Sequence, residues 1–240
     1  MEFSRQTVIP KPDRTLVIMA KAPRPGLVKT RLIESLPQPA VTAFYRCLLA
    51  DTIALARSLD SLDVAIMCPG SDTEELARLA GEGVRVVAQK GEGLGAGLTS
   101  VFRRFAIADR RIIAFNSDSP HLPASVLEGA FETLVSHDVV VGPTHDGGYY
   151  LVGAKAAYPT LFECDGLGTT NALQSLLARV SALQLSVGFT EPFYDIDVAA
   201  DLMRLAGELK LAPEKAPRTA AWLKEWGHAI AHLRTGTEDL

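Results

Sequence analysis

The chain has 240 residues, 48% of them hydrophobic, and a formal net charge of −4. That length suits one large α/β domain or two small ones, and the negative balance excludes a general nucleic-acid binder, whose affinity rests on many Lys and Arg contacts to phosphate. Cys47, Cys68 and Cys164 are scattered without CxxC spacing, which argues against zinc and for a reduced, cytoplasmic setting.

No run reaches the roughly 18 consecutive apolar residues of a membrane span, and Met1 to Gln6 lack the basic-then-apolar pattern of a signal peptide. Residues 1–13 are polar and proline-broken, a loose leader. Thr15 to Ala20 is a continuous apolar run of strand length, as expected of a strand covered on both faces. The next stretch, Lys21 to Leu32, carries Lys21, Arg24, Lys29 and Arg31 on a loop stiffened by Pro23 and Pro25 and freed at Gly26. A preorganised cationic loop at a strand end suits an anion, although charge runs are also often plain solvated surface. It is not a Walker A loop, because Gly-x4-Gly-Lys-Ser/Thr is absent.

Helical spacing over Pro39 to Ser58 predicts a helix, Asp63 to Cys68 a second strand, and Ser71 a cap for a helix with Glu74 and Glu75 in its first turn. Val84 to Ala88 is the third strand. The repeating strand–helix order predicts a mostly parallel sheet with helices on both faces. Gln89 to Leu98 then brings Gly91, Gly93, Gly95 and Gly97 close together, either for a tight turn or to let backbone approach a ligand. A helix to about Ala108 precedes the strand Arg111 to Phe115, which ends in Asn116-Ser117-Asp118-Ser119-Pro120. At such a strand end Asp118 stands at the mouth of a cleft or merely turns the chain and caps the helix Pro123 to Ser136.

Asp138 to Pro143 is a strand running into Thr144-His145-Asp146-Gly147-Gly148-Tyr149, after which an apolar strand resumes; the glycines would admit a ligand, and Asp146 could accept from its hydroxyls. His145 alone is more often structural. A loop over Leu161 to Thr170 leads to a helix from Thr170 to Val180, a strand over Ala182 to Val187, and Asp195-Ile196-Asp197, whose carboxylates share a face in extended chain. Asp197 could instead cap the helix at 198–210. A last helix runs through Trp222 and Trp226 to Leu233. Residues 14–210 are thus expected to form one domain, with 211–240 a helical extension packed on it. Without a Gly-x-Ser-x-Gly elbow a serine hydrolase is disfavoured, whereas cations plus separated aspartates suit a metal-bound diphosphate.

The set Lys21-Ala22-Pro23-x-Pro25-Gly26-x-Val28-Lys29-Thr30-Arg31-Leu32, Asn116-Ser117-Asp118-Ser119-Pro120, Gly142-Pro143-x-x-Asp146-Gly147-Gly148-Tyr149 and Asp195-Ile196-Asp197 resembles one bacterial glycosyltransferase family, formerly a domain of unknown function and in part linked to arsenosugar biosynthesis. The resemblance implies the GT-A, Rossmann-like three-layer α/β/α fold of the nucleotide-diphospho-sugar transferases, with a mostly parallel mixed sheet. It implies that Lys21, Arg24, Gly26, Lys29 and Arg31 bind phosphates, that Gln89, Gly93 and Gly95 line the nucleotide, and that Asp118 and Asp197 hold Mg²⁺ or Mn²⁺. The candidate catalytic residues are Asp118, Asp146 and Lys29, and the candidate substrate contacts are Ser119, His145, Gly147, Gly148 and Tyr149. The partners implied are a nucleotide-sugar or NTP and a small-molecule acceptor, without nucleic acid; a homodimer is compatible. Metal-dependent glycosyl transfer leads, ahead of nucleotidyl transfer and a non-catalytic nucleotide binder. Two positions depart from the family pattern: Leu167 stands where Trp is usual, and Leu94-Gly95 is followed by Ala96-Gly97 in place of a charged pair.

Overall fold

Alternation along the strands decides which side chains meet which layer of helices. A computed structural model describes residues 13–107, 110–163, 167, 171–227 and 230. In β1 (Arg14–Met19), Leu16 and Ile18 enter one core cluster while Val17 enters the opposite one. The same split recurs in β2 (Asp63–Cys68), with Val64 and Ile66 against Ala65 and Met67, and in β4 (Arg111–Asn116), with Ile113 and Phe115 against Ile112 and Ala114. Strands buried on both faces need apolar residues at every position, so these segments read as unbroken hydrophobic runs.

The sheet has seven strands in the order β3-β2-β1-β4-β6-β5-β7, adding β3 (Arg85–Ala88), β5 (Val139–Pro143), β6 (Tyr149–Ala154) and β7 (Val187–Phe189). All neighbours are parallel except β6, which is antiparallel to both β4 and β5. A short hairpin turn therefore joins β5 to β6, and β6 is wedged between β4 and β5.

The described residues form seven α-helices: α1 (Gln38–Arg57), α2 (Thr73–Ala80), α3 (Gly93–Phe105), α4 (Ala124–Ser136), α5 (Ala172–Ala182), α6 (Ala199–Leu211) and α7 (Pro217–Glu225). By length and composition α1 could cross a membrane, but its apolar side is already used, with Phe44, Leu48, Leu49 and Ile53 buried against the sheet and neighbouring helices. Each such side chain contributes roughly 1.5–3 kcal/mol on burial. α7 lies on α1 and α6 through a third cluster, in which the Trp222 ring packs at a tilt against Phe44 at 4.7 Å. Buried Asp51 anchors the start of α7, accepting from the Thr219 amide and hydroxyl at 2.8 Å each.

Three local expectations fail for identifiable reasons. Ser71 does not cap α2: its hydroxyl donates to Asp72, and Asp72 accepts from Ala22 N and Arg24. The strand expected over Ala182 to Val187 is instead the end of α5 and a short β7. Leu176, Val180, Leu183 and Leu185 keep facing the core, and the helix closes through Leu185 N to Val180 O at 3.0 Å with Gln184 left-handed. Helix α3 stops at Phe105, where Ala106 turns extended. The leader up to residue 12, the expected helix start at Thr170, most of the 164–170 loop and the chain after 230 lie outside the described residues.

Candidate active site

The parallel strands β1 and β4 are neighbours, so their carboxyl ends open on the same edge of the sheet, where open α/β folds bind ligands. From β1 the chain enters the cationic loop. Its apolar members anchor it: Ala22, Val28 and Leu32 are buried, while Lys21 and Arg31 stay exposed. Gly26 takes φ +74° in the tight bend before Leu27. Lys29 also adopts a left-handed backbone, φ 48°, just before the 3-10 turn Thr30–Glu34. A non-glycine residue held there is uncommon and costs energy; the consequence is that its side chain turns inward.

The Lys29 ammonium, its side chain only 5% exposed, donates to Asp118 Oδ2 and, at 2.8 Å, to Asp197 Oδ1. Burial works against the charged amine, but the two carboxylates outweigh it and hold its pKa above the usual lysine value. Arg31 approaches the other Asp197 oxygen at 3.5 Å. Asp195 completes a triad: one carboxylate oxygen from each of Asp118, Asp195 and Asp197 lies within 4.8 Å of the others. Burial first, and then the charges of Asp118 and Asp197, push the Asp195 carboxyl up to about 7.

Two segments must meet to build this triad. On the β4 side, Tyr45 Oη and Ser117 Oγ share a hydrogen bond of 2.9 Å, and the Thr52 hydroxyl donates to Ser117 O at 3.2 Å, which ties the Asp118 turn to α1. Ser119 Oγ, fully buried, donates across to Tyr194 O at 3.2 Å. On the other side Asp201, not Asp197, caps α6: its carboxylate accepts from Asp197 N at 3.0 Å and Val198 N at 2.9 Å. Asp197 is left free to face Lys29.

The triad fits a hard divalent cation in donor type and spacing, since Mg²⁺ and Mn²⁺ favour carboxylate oxygens. Asp118 Oδ1 is buried and has no donor among the described residues, the condition expected of an oxygen awaiting a cation.

A cavity of about 560 Å³ lies over these groups, lined by Lys21, Lys29, Arg31, Gln89, Gly93, Asp118 and Asp197 among the residues singled out from sequence, together with Ser117, Tyr45, Leu27 and Leu94. Its size is that of an ordinary small-ligand site. The glycine loop forms one wall because Gly91 and Gly93 accept positive φ. Gly97 lets α3 pass close: a Cβ there would sit 2.8 Å from the end of Met19 and 2.9 Å from Gln89 Oε1.

Other candidates stand elsewhere. Arg24 is turned to Asp72 at 2.9 Å and Glu75 at 3.1 Å, where it staples the cationic loop to α2 outside the cavity lining. Ser119 is a buried strut. Gly26 shapes the loop from outside the lining, and Gly95 faces Phe162 and Leu167. His145, Asp146, Gly147 and Gly148 form the β5–β6 turn, Tyr149 opens β6, and none of the five lines the cavity. Asp146 accepts from the Thr144 hydroxyl and from Gly148 N, which holds its pKa low, and Arg31 adds its charge to the effect. Leu167, 6% exposed, is a core residue packed on α3.

Asp195, Ser117 and Tyr45 were not singled out as site residues from sequence. The period-two pairing of Asp195 with Asp197 was the signal for the first; for Tyr45, in the middle of an amphipathic helix, there was none.

This sheet order with a cationic cavity at the ends of β1 and β4 is the fold of the nucleotide-diphospho-sugar transferases, as the resemblance implied. Residues 52–169 match the profile of a family described as "Uncharacterized protein conserved in bacteria (DUF2064)". A crystal structure from Desulfovibrio desulfuricans G20, described as a "putative nucleotide-diphospho-sugar transferase", is 26% identical with a TM-score of 0.84, over 92% of this chain and 97% of that one. More distant likenesses show the fold alone. A nucleotidyl transferase from Methanothermobacter is 18% identical, TM-score 0.57, over 83% of this chain and 98% of that one. A cytidylyltransferase from Leptospira borgpetersenii is 12% identical, TM-score 0.58, over 91% and 96%. No curated protein matches the chain.

Proposed function

We propose that the protein is a metal-dependent glycosyltransferase that takes a nucleotide-diphospho-sugar as donor and a small molecule as acceptor. The observation that carries this reading is the convergence of Lys21, Lys29 and Arg31 with Asp118 and Asp197 in one cavity of small-ligand size, with the Asp195 carboxylate grouped beside the two aspartates. The likeness over nearly the whole chain to the Desulfovibrio protein supports it. Gln89, Gly93 and the exposed apolar side chains of Leu27 and Leu94 suit the base and ribose, while Lys21 and Arg31 suit the diphosphate. Asp118, Asp195 and Asp197 would hold Mg²⁺ or Mn²⁺, which when bound supplies charge neutralisation on a leaving diphosphate. The chain's own cations do the same from the loop side: Arg31 can grip two phosphate oxygens, and a lysine supplies a point charge. A cytoplasmic setting agrees with such donors and with the free thiols of Cys47 and Cys68.

Incubation with Mg²⁺ or Mn²⁺ and a panel of donors tests the reading. Release of nucleoside diphosphate from nucleotide-sugars supports it. Pyrophosphate release from NTPs would assign nucleotidyl transfer to the same cavity. Binding without turnover across both panels would make the protein a non-catalytic nucleotide binder.

A further inference from the structure

The two oxygens that accept from the Lys29 ammonium belong to Asp118 and Asp197, two of the three members of the carboxylate triad. An ion bridging Asp118 Oδ2 and Asp197 Oδ1 would need the space the ammonium fills. The lysine is not a surface group that happened to fold over: its side chain is 5% exposed, and a left-handed backbone aims it inward.

We infer that Lys29 is a built-in counter-ion that occupies the cation seat of the site, so that divalent metal enters only by displacing its ammonium. The inference rests on the metal-dependent reading above. A displaced ammonium needs a new acceptor, and a diphosphate lying along Lys21 and Arg31 in the same cavity offers one. Metal and diphosphate then assist each other: the metal frees the lysine for phosphate, and phosphate keeps the lysine from returning to Asp118 and Asp197. Such coupling is reciprocal by thermodynamic necessity. It makes the empty site poor at binding metal although it carries three carboxylates, and it keeps those carboxylates from repelling one another before substrate arrives.

Two measurements test this. The first is Mn²⁺ affinity, read from the electron paramagnetic resonance signal of free Mn²⁺, for the wild type and for Lys29→Met. The variant is expected to bind Mn²⁺ alone at least tenfold more tightly than the wild type. Equal or weaker binding by a folded variant overturns the inference. Absence of Mn²⁺ binding by both proteins overturns the metal-dependent reading as well, so the two failures are distinct. The second uses the wild type only, in case Lys29→Met does not fold. Acylation of Lys29 by acetic anhydride, followed by mass spectrometry, is expected to be slow without metal and several-fold faster at saturating Mn²⁺. A rate that Mn²⁺ leaves unchanged would mean that the ammonium is not displaced.

Discussion

His121 sits three residues after Asp118 and ties the two halves of the carboxylate triad together. Its ring packs at a tilt against Phe193 at 4.8 Å and Tyr194 at 4.7 Å, the residues that lead into Asp195, and neither ring nitrogen has a partner among the described residues. Burial is the main reason its pKa falls from 6.5 to about 4; Glu208 opposes the fall, and Arg204 and Lys215 add to it. The folded protein therefore keeps this imidazole neutral while the unfolded chain protonates it near 6.5. Stability from this residue is complete above that value and declines as pH falls toward 4. At 1.36 kcal/mol per pKa unit, the full loss is about 3 kcal/mol. Urea unfolding between pH 7.5 and 4.5, compared for wild type and His121→Phe, isolates this part from the general effect of protonating carboxylates. The wild type is expected to lose about 2–3 kcal/mol more than the variant over that range. Parallel pH profiles for the two proteins would refute a buried, uncharged His121.

Asp118→Asn should lower donor turnover by at least about 100-fold in a product-release assay, the scale seen when one electrostatic group of an active site is lost. Arg24→Ala and Arg31→Ala should separate: the first costs about 1–2 kcal/mol of stability by cutting the tie to Asp72 and Glu75, and the second weakens diphosphate binding with little change in melting temperature. Calorimetry beside thermal melts reads both. Leu167→Trp should destabilise by about 1–3 kcal/mol through overpacking against α3 rather than create a sugar platform; tighter donor binding by that variant would show that the side chain reaches the cavity.

The central sheet was legible because its strands are buried on both faces, and double burial leaves long apolar runs in Val17 to Met19, Ala65 to Met67 and Ile112 to Phe115. β7 was misread because Leu183 and Leu185 continue an apolar pattern that fits strand and helix alike; the choice was made by the core contact of α5, which is tertiary. Site residues divide in the same way. Lys29, Arg31, Asp118 and Asp197 stood out because charge at a strand end is unusual. Arg24 looks identical to them in sequence, and only Asp72 and Glu75, nearly fifty residues along the chain, show that its charge is already answered. Ser119 likewise has the appearance of a ligand contact and is a fully buried strut to Tyr194.

The antiparallel strand explains why the site needs both ends of the chain. With β6 inserted between β4 and β5, the segment after β7 returns along β5, where Thr144 and Phe193 form a parallel bridge and Phe193 N donates to Pro143 O at 3.0 Å. That return brings Tyr194 over His121 and delivers Asp195 and Asp197 opposite Asp118. Three carboxylates converging from two separate segments would repel, and the cost would fall on the closure of the fold. Lys29, from a third segment, removes that repulsion by donating to two of the three. The residue that completes the folded site is thus the same one that must give way when a cation takes its place, which links the stability of the empty protein to its affinity for metal: tightening one through Lys29 weakens the other.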